Sequence, residues 1–185
     1  MYRLLLTLFT LLLLTACSPK QLYTFGNTAH ITPSATQQTP QQFIGVEQIK
    51  LPIYMMDSPI YKKDSPYHLV EIKKANWTHS MDKHLTNMLI AYLQKSLNNP
   101  NIYAYPWSSS PKTDKKISLN IANFIAYQGV INLDATYQIL DKKTKKSSNY
   151  LFNRNESIQG QSVEAMMEAM EKIYFKLANE IKNKL

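Results

Sequence analysis

Few residues in this chain are equipped for covalent or acid–base chemistry. One cysteine, Cys17, is present among 185 residues, with four histidines, His30, His68, His79 and His84. The histidines make no i, i+4 pair, no HExxH and no Cys/His cluster, the spacings that a zinc site uses, so no metal ligand set is expected. There is no GxSxG, no glycine-rich phosphate loop and only four glycines in total. Asp57 and Asp64 could stand as a carboxylate pair, yet each opens an Asp-Ser-Pro triplet, a turn signature. The sequence therefore reads as a non-enzyme with no catalytic residue and no cofactor. Two groups could instead make contacts. Met166, Met167 and Met170 offer a soft apolar surface for acyl chains or a partner, since methionine adapts to irregular shapes; core filling is the other reading. Lys142, Lys143, Lys145 and Lys146, in KKTKK, could meet phosphate headgroups or a partner, or simply be a solvated turn.

Cys17 has a distinctive setting. Leu4 to Ala16 reads LLLTLFTLLLLTA, uncharged and preceded by Arg3. That is too short to span a bilayer core, which takes about 20 apolar residues, and it matches a secretory h-region. Leu14-Thr15-Ala16-Cys17 resembles the lipobox of bacterial lipoproteins. The resemblance implies a diacylglyceryl group on the Cys17 sulfur and removal of residues 1–16, leaving Cys17 as the first mature residue. Each acyl CH2 buried in the bilayer contributes about 0.8 kcal/mol, and two or more chains anchor stably. A cysteine used this way needs no thiol partner, so the domain must fold by packing alone. Ser18 is not the aspartate of inner-membrane retention, which by the same resemblance favours the periplasmic face of the outer membrane over the inner membrane.

The chain carries 21 Lys and Arg against 13 Asp and Glu. Export removes nucleic acid as a partner; anionic headgroups or a plain compositional bias account for the excess. Residues 17–42 read as the lipidated cysteine and a flexible tether, rich in Thr, Gln, Pro and Ser, with LYTF placed to add a short strand. Residues 43–185 read as one domain.

Within it, residues 43–52 (FIGVEQIKLP) read as a strand stopped by Pro52, and residues 54–77 as turns around a second strand, YHLVEI. From Thr78 to Leu97, Met81, Leu85, Met88, Leu89, Tyr92, Leu93 and Leu97 recur at helical spacing. NIYAYPW (101–107) is a short strand. ISLNIANFIAYQ and VINLDATYQIL alternate about a turn at Gly129, and NYLFNRNES follows the DKKTKKSS turn, making a three-stranded meander. A second amphipathic helix runs from about Ser162 to Lys184. The sum is an α+β fold, a two-layer sandwich in which a mixed, largely antiparallel sheet of about six strands is packed by two helices.

The order LYTF, IGVEQIKLPIYMMDSPIYKKDSPYHLVEIKKANW, leucine-spaced helix and YAYPW resembles the PqiC and YmbA group, the ABC-type transport auxiliary lipoproteins. Leu51, Pro52, Trp77, Tyr105, Pro106 and Trp107 match that group and are expected to determine the fold, with Trp77 packing at the start of the helix. The group often has a proline near the position of Met81, which this chain lacks. The resemblance implies a membrane-anchored, non-enzymatic component of an MCE-type intermembrane lipid transport system. Its partner would be an MCE-domain protein served by an inner-membrane permease and ATPase, with self-association as a homo-oligomer around or beside it. A structural or regulatory envelope lipoprotein that binds peptidoglycan or wall-synthesis proteins is the alternative.

Overall fold

The computed structural model describes residues 19–26, 31, 42–106 and 113–185. Cys17, His30, Trp107 and most of the expected tether lie outside the described residues. Among the described residues eight strands and two helices follow in order: β1 (Gln21–Tyr23), β2 (Ile44–Glu47), β3 (Pro59–Ser65), β4 (His68–Trp77), α1 (Met81–Ser96), β5 (Ile102–Tyr105), β6 (Lys115–Tyr127), β7 (Val130–Asp141), β8 (Ser147–Ser157) and α2 (Val163–Lys182). A short 3-10 turn at Ile53–Met55 precedes β3.

The fold is α+β, with the strands divided between two sheets. One has the order β5-β2-β6-β7-β8, the other β1-β4-β3. In the larger sheet β5, β2 and β6 run parallel, and β6, β7 and β8 form the antiparallel meander. The β6–β7 turn needs two left-handed residues, supplied by Gln128 (φ 50°) and Gly129 (φ 77°), as a tight hairpin with the sheet's own twist demands.

Alternation along β7 buries Ile131, Leu133, Ala135, Tyr137 and Ile139 on one face. Helix α2 covers β7 and β8, and α1 lies over β5 and β2. The helices run in parallel: Tyr174 donates its hydroxyl to the Leu85 carbonyl at 2.7 Å, and Tyr92 stacks on Phe175 at 5.5 Å. Burying a Leu, Ile or Met side chain contributes about 1.5–3 kcal/mol, so these stripes are what holds helices to sheet. Ser162 caps α2 by accepting from the Ala165 N–H at 3.1 Å, which satisfies one of its free donors.

The smaller sheet differs most from the sequence reading, which has one sheet and turns over residues 54–67. PIYKKDS forms a full strand despite its proline and charges, because β4 supplies a partner along it, with register shifts after Pro59 and after Lys63. Strand β4 is the middle strand of this sheet. It pairs with β3 from His68 to Glu71 and again at Asn76, and Ala75–Trp77 pair in parallel with β1 on its other side. Lys74, left-handed at φ 66°, lies in the irregular stretch between the two β3 pairings. The stretch after Lys20 is part of the domain: Phe25 is buried against Trp77 (5.4 Å) and Phe124 (6.2 Å). The Gly26 N–H donates to Glu171 Oε2 at 2.7 Å. Trp77 thus packs just ahead of α1, as expected.

Candidate functional site

Two surfaces, at opposite ends of the long meander, gather the residues able to make contacts. At the Gly129 end lies an open groove of about 370 Å³ between the β3–β4 hairpin, the β6–β7 turn and the first turn of α2. Lys62 and Lys63 stand on its rim, and Ile72, Ile158, Val163 and Met166 supply apolar lining. The groove thus joins cationic and apolar walls.

The other surface is built around Tyr105. Gly45 on β2 lies beneath it, and a Cβ there would come within 2.9 Å of the Tyr105 ring and 3.3 Å of Thr113. The missing side chain is what lets the ring lie flat against β2. Lys116 and Lys142 stand over that ring at 5.6 and 5.2 Å from its centre, within cation–π range. Lys142 belongs to the KKTKK turn, which Asp141 organises by accepting the backbone N–H groups of Lys143 (2.9 Å) and Thr144 (2.8 Å). The Thr144 N–H leads in holding the Asp141 carboxyl below its ordinary value. Lys143 pairs with Asp114 at 3.0 Å, while Lys145 and Lys146 are exposed. The YAYP stretch and the lysine turn, far apart in sequence, therefore form one cationic-aromatic patch. Neither segment alone signals this; the pairing of Asp141 with Lys115 in the β6–β7 register brings them together. The Tyr105–Pro106 peptide is cis.

The methionines are placed differently. Met167 and Met170 are 7% and 3% exposed, set among Ile173, Tyr174 and Leu177 in the core, and Met166 lies at the floor of the groove. Helical spacing identified the right face of α2, and that face is packed on the sheet. Among the histidines, His68 pairs with Asp64 at 2.9 Å on the exposed hairpin. His79 precedes α1 and stacks on His84 at 5.7 Å. His84, on the exposed side of the α1 apolar stripe, is half-buried, with its Nε2 3.3 Å from the Phe25 carbonyl. Burial, with the neighbouring His79, holds its pKa below the ordinary value against the opposing pull of that carbonyl and Glu171. The reason is Phe25: its docking covers the side of α1 that a free tether would leave open. Asp57 lies in the bend before β3, and Asp64 is the penultimate residue of β3 itself, beside the hairpin turn. Among the described residues no group of three or more His, Cys, Asp or Glu could hold a metal ion, and no helix is long and apolar enough to cross a membrane.

Comparison with known proteins adds the following. The family model described as "ABC-type transport auxiliary lipoprotein component" matches residues 23–182. No curated protein matches the chain. A crystal structure of an uncharacterized protein superposes with a TM-score of 0.72 at 15% identity, covering 90% of this chain and 99% of that one. Protein XCC0632 from Xanthomonas campestris does so with a TM-score of 0.66 at 16% identity, covering 88% and 92%. At these identities the likeness is one of fold.

Proposed function

Since the chain belongs to the family of ABC-type transport auxiliary lipoprotein components, we propose that it is the lipid-anchored, non-enzymatic auxiliary of an intermembrane phospholipid transport system. In this reading acyl chains on Cys17 hold the protein in the outer membrane, with the domain on the periplasmic face. There it docks the MCE-domain protein that an inner-membrane permease and ATPase serve. The family match over residues 23–182 carries the reading; the lipobox at Leu14–Cys17 supports the anchor.

The cationic-aromatic patch is the docking surface of this proposal. Lys142, Lys143, Lys145 and Lys146 stand at the end of the domain far from β1, roughly 40 Å from the β6–β7 turn at about 3.3 Å per strand residue. A protein crossing the periplasm toward the anchored domain meets that end first. Exposed lysines of this kind steer an acidic partner and set the encounter rate more than the final affinity.

The test is affinity purification of the acylated protein from its own envelope after crosslinking, with Cys17→Ala as control. The expected result is an MCE-domain protein, recovered with the acylated form and lost or strongly reduced with Cys17→Ala. Recovery of peptidoglycan fragments or wall synthases without an MCE-domain protein would overturn the proposal in favour of a structural envelope role.

A further inference from the structure

We propose that the β3–β4 hairpin is a membrane-contacting arm that lies on the same bilayer that holds the Cys17 anchor. The inference rests on the anchor of the proposed function and adds a second, non-covalent contact with the lipid surface.

Chain length supplies the first argument. Only three residues separate Cys17 from Gln21, where β1 enters the fold. At about 3.5 Å per extended residue the anchored cysteine is held within roughly 14 Å of Gln21. The long meander strands measure about 40 Å, so the anchor cannot serve the lysine-turn end, and the bilayer must pass close to β1. Register supplies the direction. Gln21 lies beside Ala75 with β1 parallel to β4, so the chain ahead of Gln21 leaves on the Lys73–Lys74 side, toward the hairpin.

The hairpin itself has the composition of an interfacial surface. Tyr67 at its tip is 99% exposed and Leu69 beside it is 38% exposed, with Pro66 between the strands. Lys62 and Lys63 stand close behind this tip, across from Val70 and Leu69, and Lys73 and Lys74 lie further along β4 toward Gln21; no ion pair among the described residues uses any of the four, and Lys63 Nζ donates to the Pro66 carbonyl at 3.2 Å. Two carboxylates share the hairpin, Asp64, held by His68, and Glu71, so lysines outnumber acids by four to two. Lys20 adds a further cation where the chain enters β1. A tyrosine whose apolar ring meets acyl chains while its hydroxyl stays at the headgroups, ringed by lysines for the phosphates, suits a bilayer surface. Each lysine near an anionic surface strengthens binding roughly fivefold.

Acylated full-length protein with Tyr67→Cys tests this, because an acylated Cys17 leaves the new thiol as the only free one. The thiol is labelled with an environment-sensitive fluorophore and the protein placed in vesicles of phosphatidylethanolamine and phosphatidylglycerol carrying nitroxide-labelled acyl chains. Leu151→Cys, at an exposed position in the middle of β8, serves as reference. The expected result is blue-shifted, nitroxide-quenched emission at position 67 and water-like emission at position 151. Adding Lys62→Glu and Lys73→Glu should reduce the quenching at 67 at least tenfold at low salt. The mass of the N-terminal peptide is read from the same samples. Cys17 without acyl chains would overturn the anchor and the arm together; acylated Cys17 with the 67 probe in water would overturn the arm alone and leave the hairpin to a protein partner.

Discussion

Gly45 shows how one missing side chain shapes a surface. A methyl group there would meet the Tyr105 ring at 2.9 Å, so Gly45→Val should lift the ring off β2, cost about 1–3 kcal/mol and loosen the lysine turn. Thermal denaturation reads the first effect; shifted Tyr105 ring resonances read the second. Nothing in IGVE announces this role, because it depends on a residue sixty positions away. Met167 makes the complementary case. Its spacing marks the buried face of α2, yet spacing cannot say whether that face meets the domain's own sheet or something else. At 7% exposure the answer is the sheet. Met167→Glu should therefore destabilise the fold by about 3 kcal/mol or more, because a carboxylate would be buried without a partner. A variant that kept its melting temperature would instead make this face an accessible surface.

At the scale of elements, the helices and the meander were legible because their periods are long and uninterrupted: 3.6 along α1 and α2, two along β6 and β7. β3 was not, because Pro59, two lysines and an aspartate hide a strand whose partner, β4, provides what its own propensity lacks. The link between β8 and α2 was also invisible. Glu156, only 8% exposed, receives Lys172 at 2.6 Å and Lys176. These two lysines hold its carboxyl below its ordinary value of 4.5. Because the folded value is depressed, the resulting stability is complete above the unfolded value and is lost as pH falls through the folded one. Glu156→Gln should accordingly lower the melting temperature at pH 7 and flatten its decline between about pH 5 and pH 3. An unchanged acid limb would place the pH dependence elsewhere, with Asp82 and Glu47, whose carboxyls are also depressed.

The whole molecule has two ends. The sequence marks Cys17 as the expected lipid attachment and Lys142–Lys146 as a turn but could not say how far apart they lie, since distance along a chain says little about distance in a fold. In the proposed arrangement, docking of Gln21–Gly26 would draw a Cys17 anchor to the β3–β4 hairpin end, while the meander carries Lys142–Lys146 to the other, beside Tyr105 of β5. An auxiliary lipoprotein arranged in this way would meet lipid at one end and its transporter partner at the other. The most direct test is a photo-crosslinking residue in place of Lys145, in the acylated protein in its native envelope. The account predicts a crosslink to the MCE-domain component of an ABC-type lipid transporter, absent when the same residue replaces Tyr67. Crosslinks from position 145 to wall-synthesis proteins or peptidoglycan, with no transporter component, would contradict it.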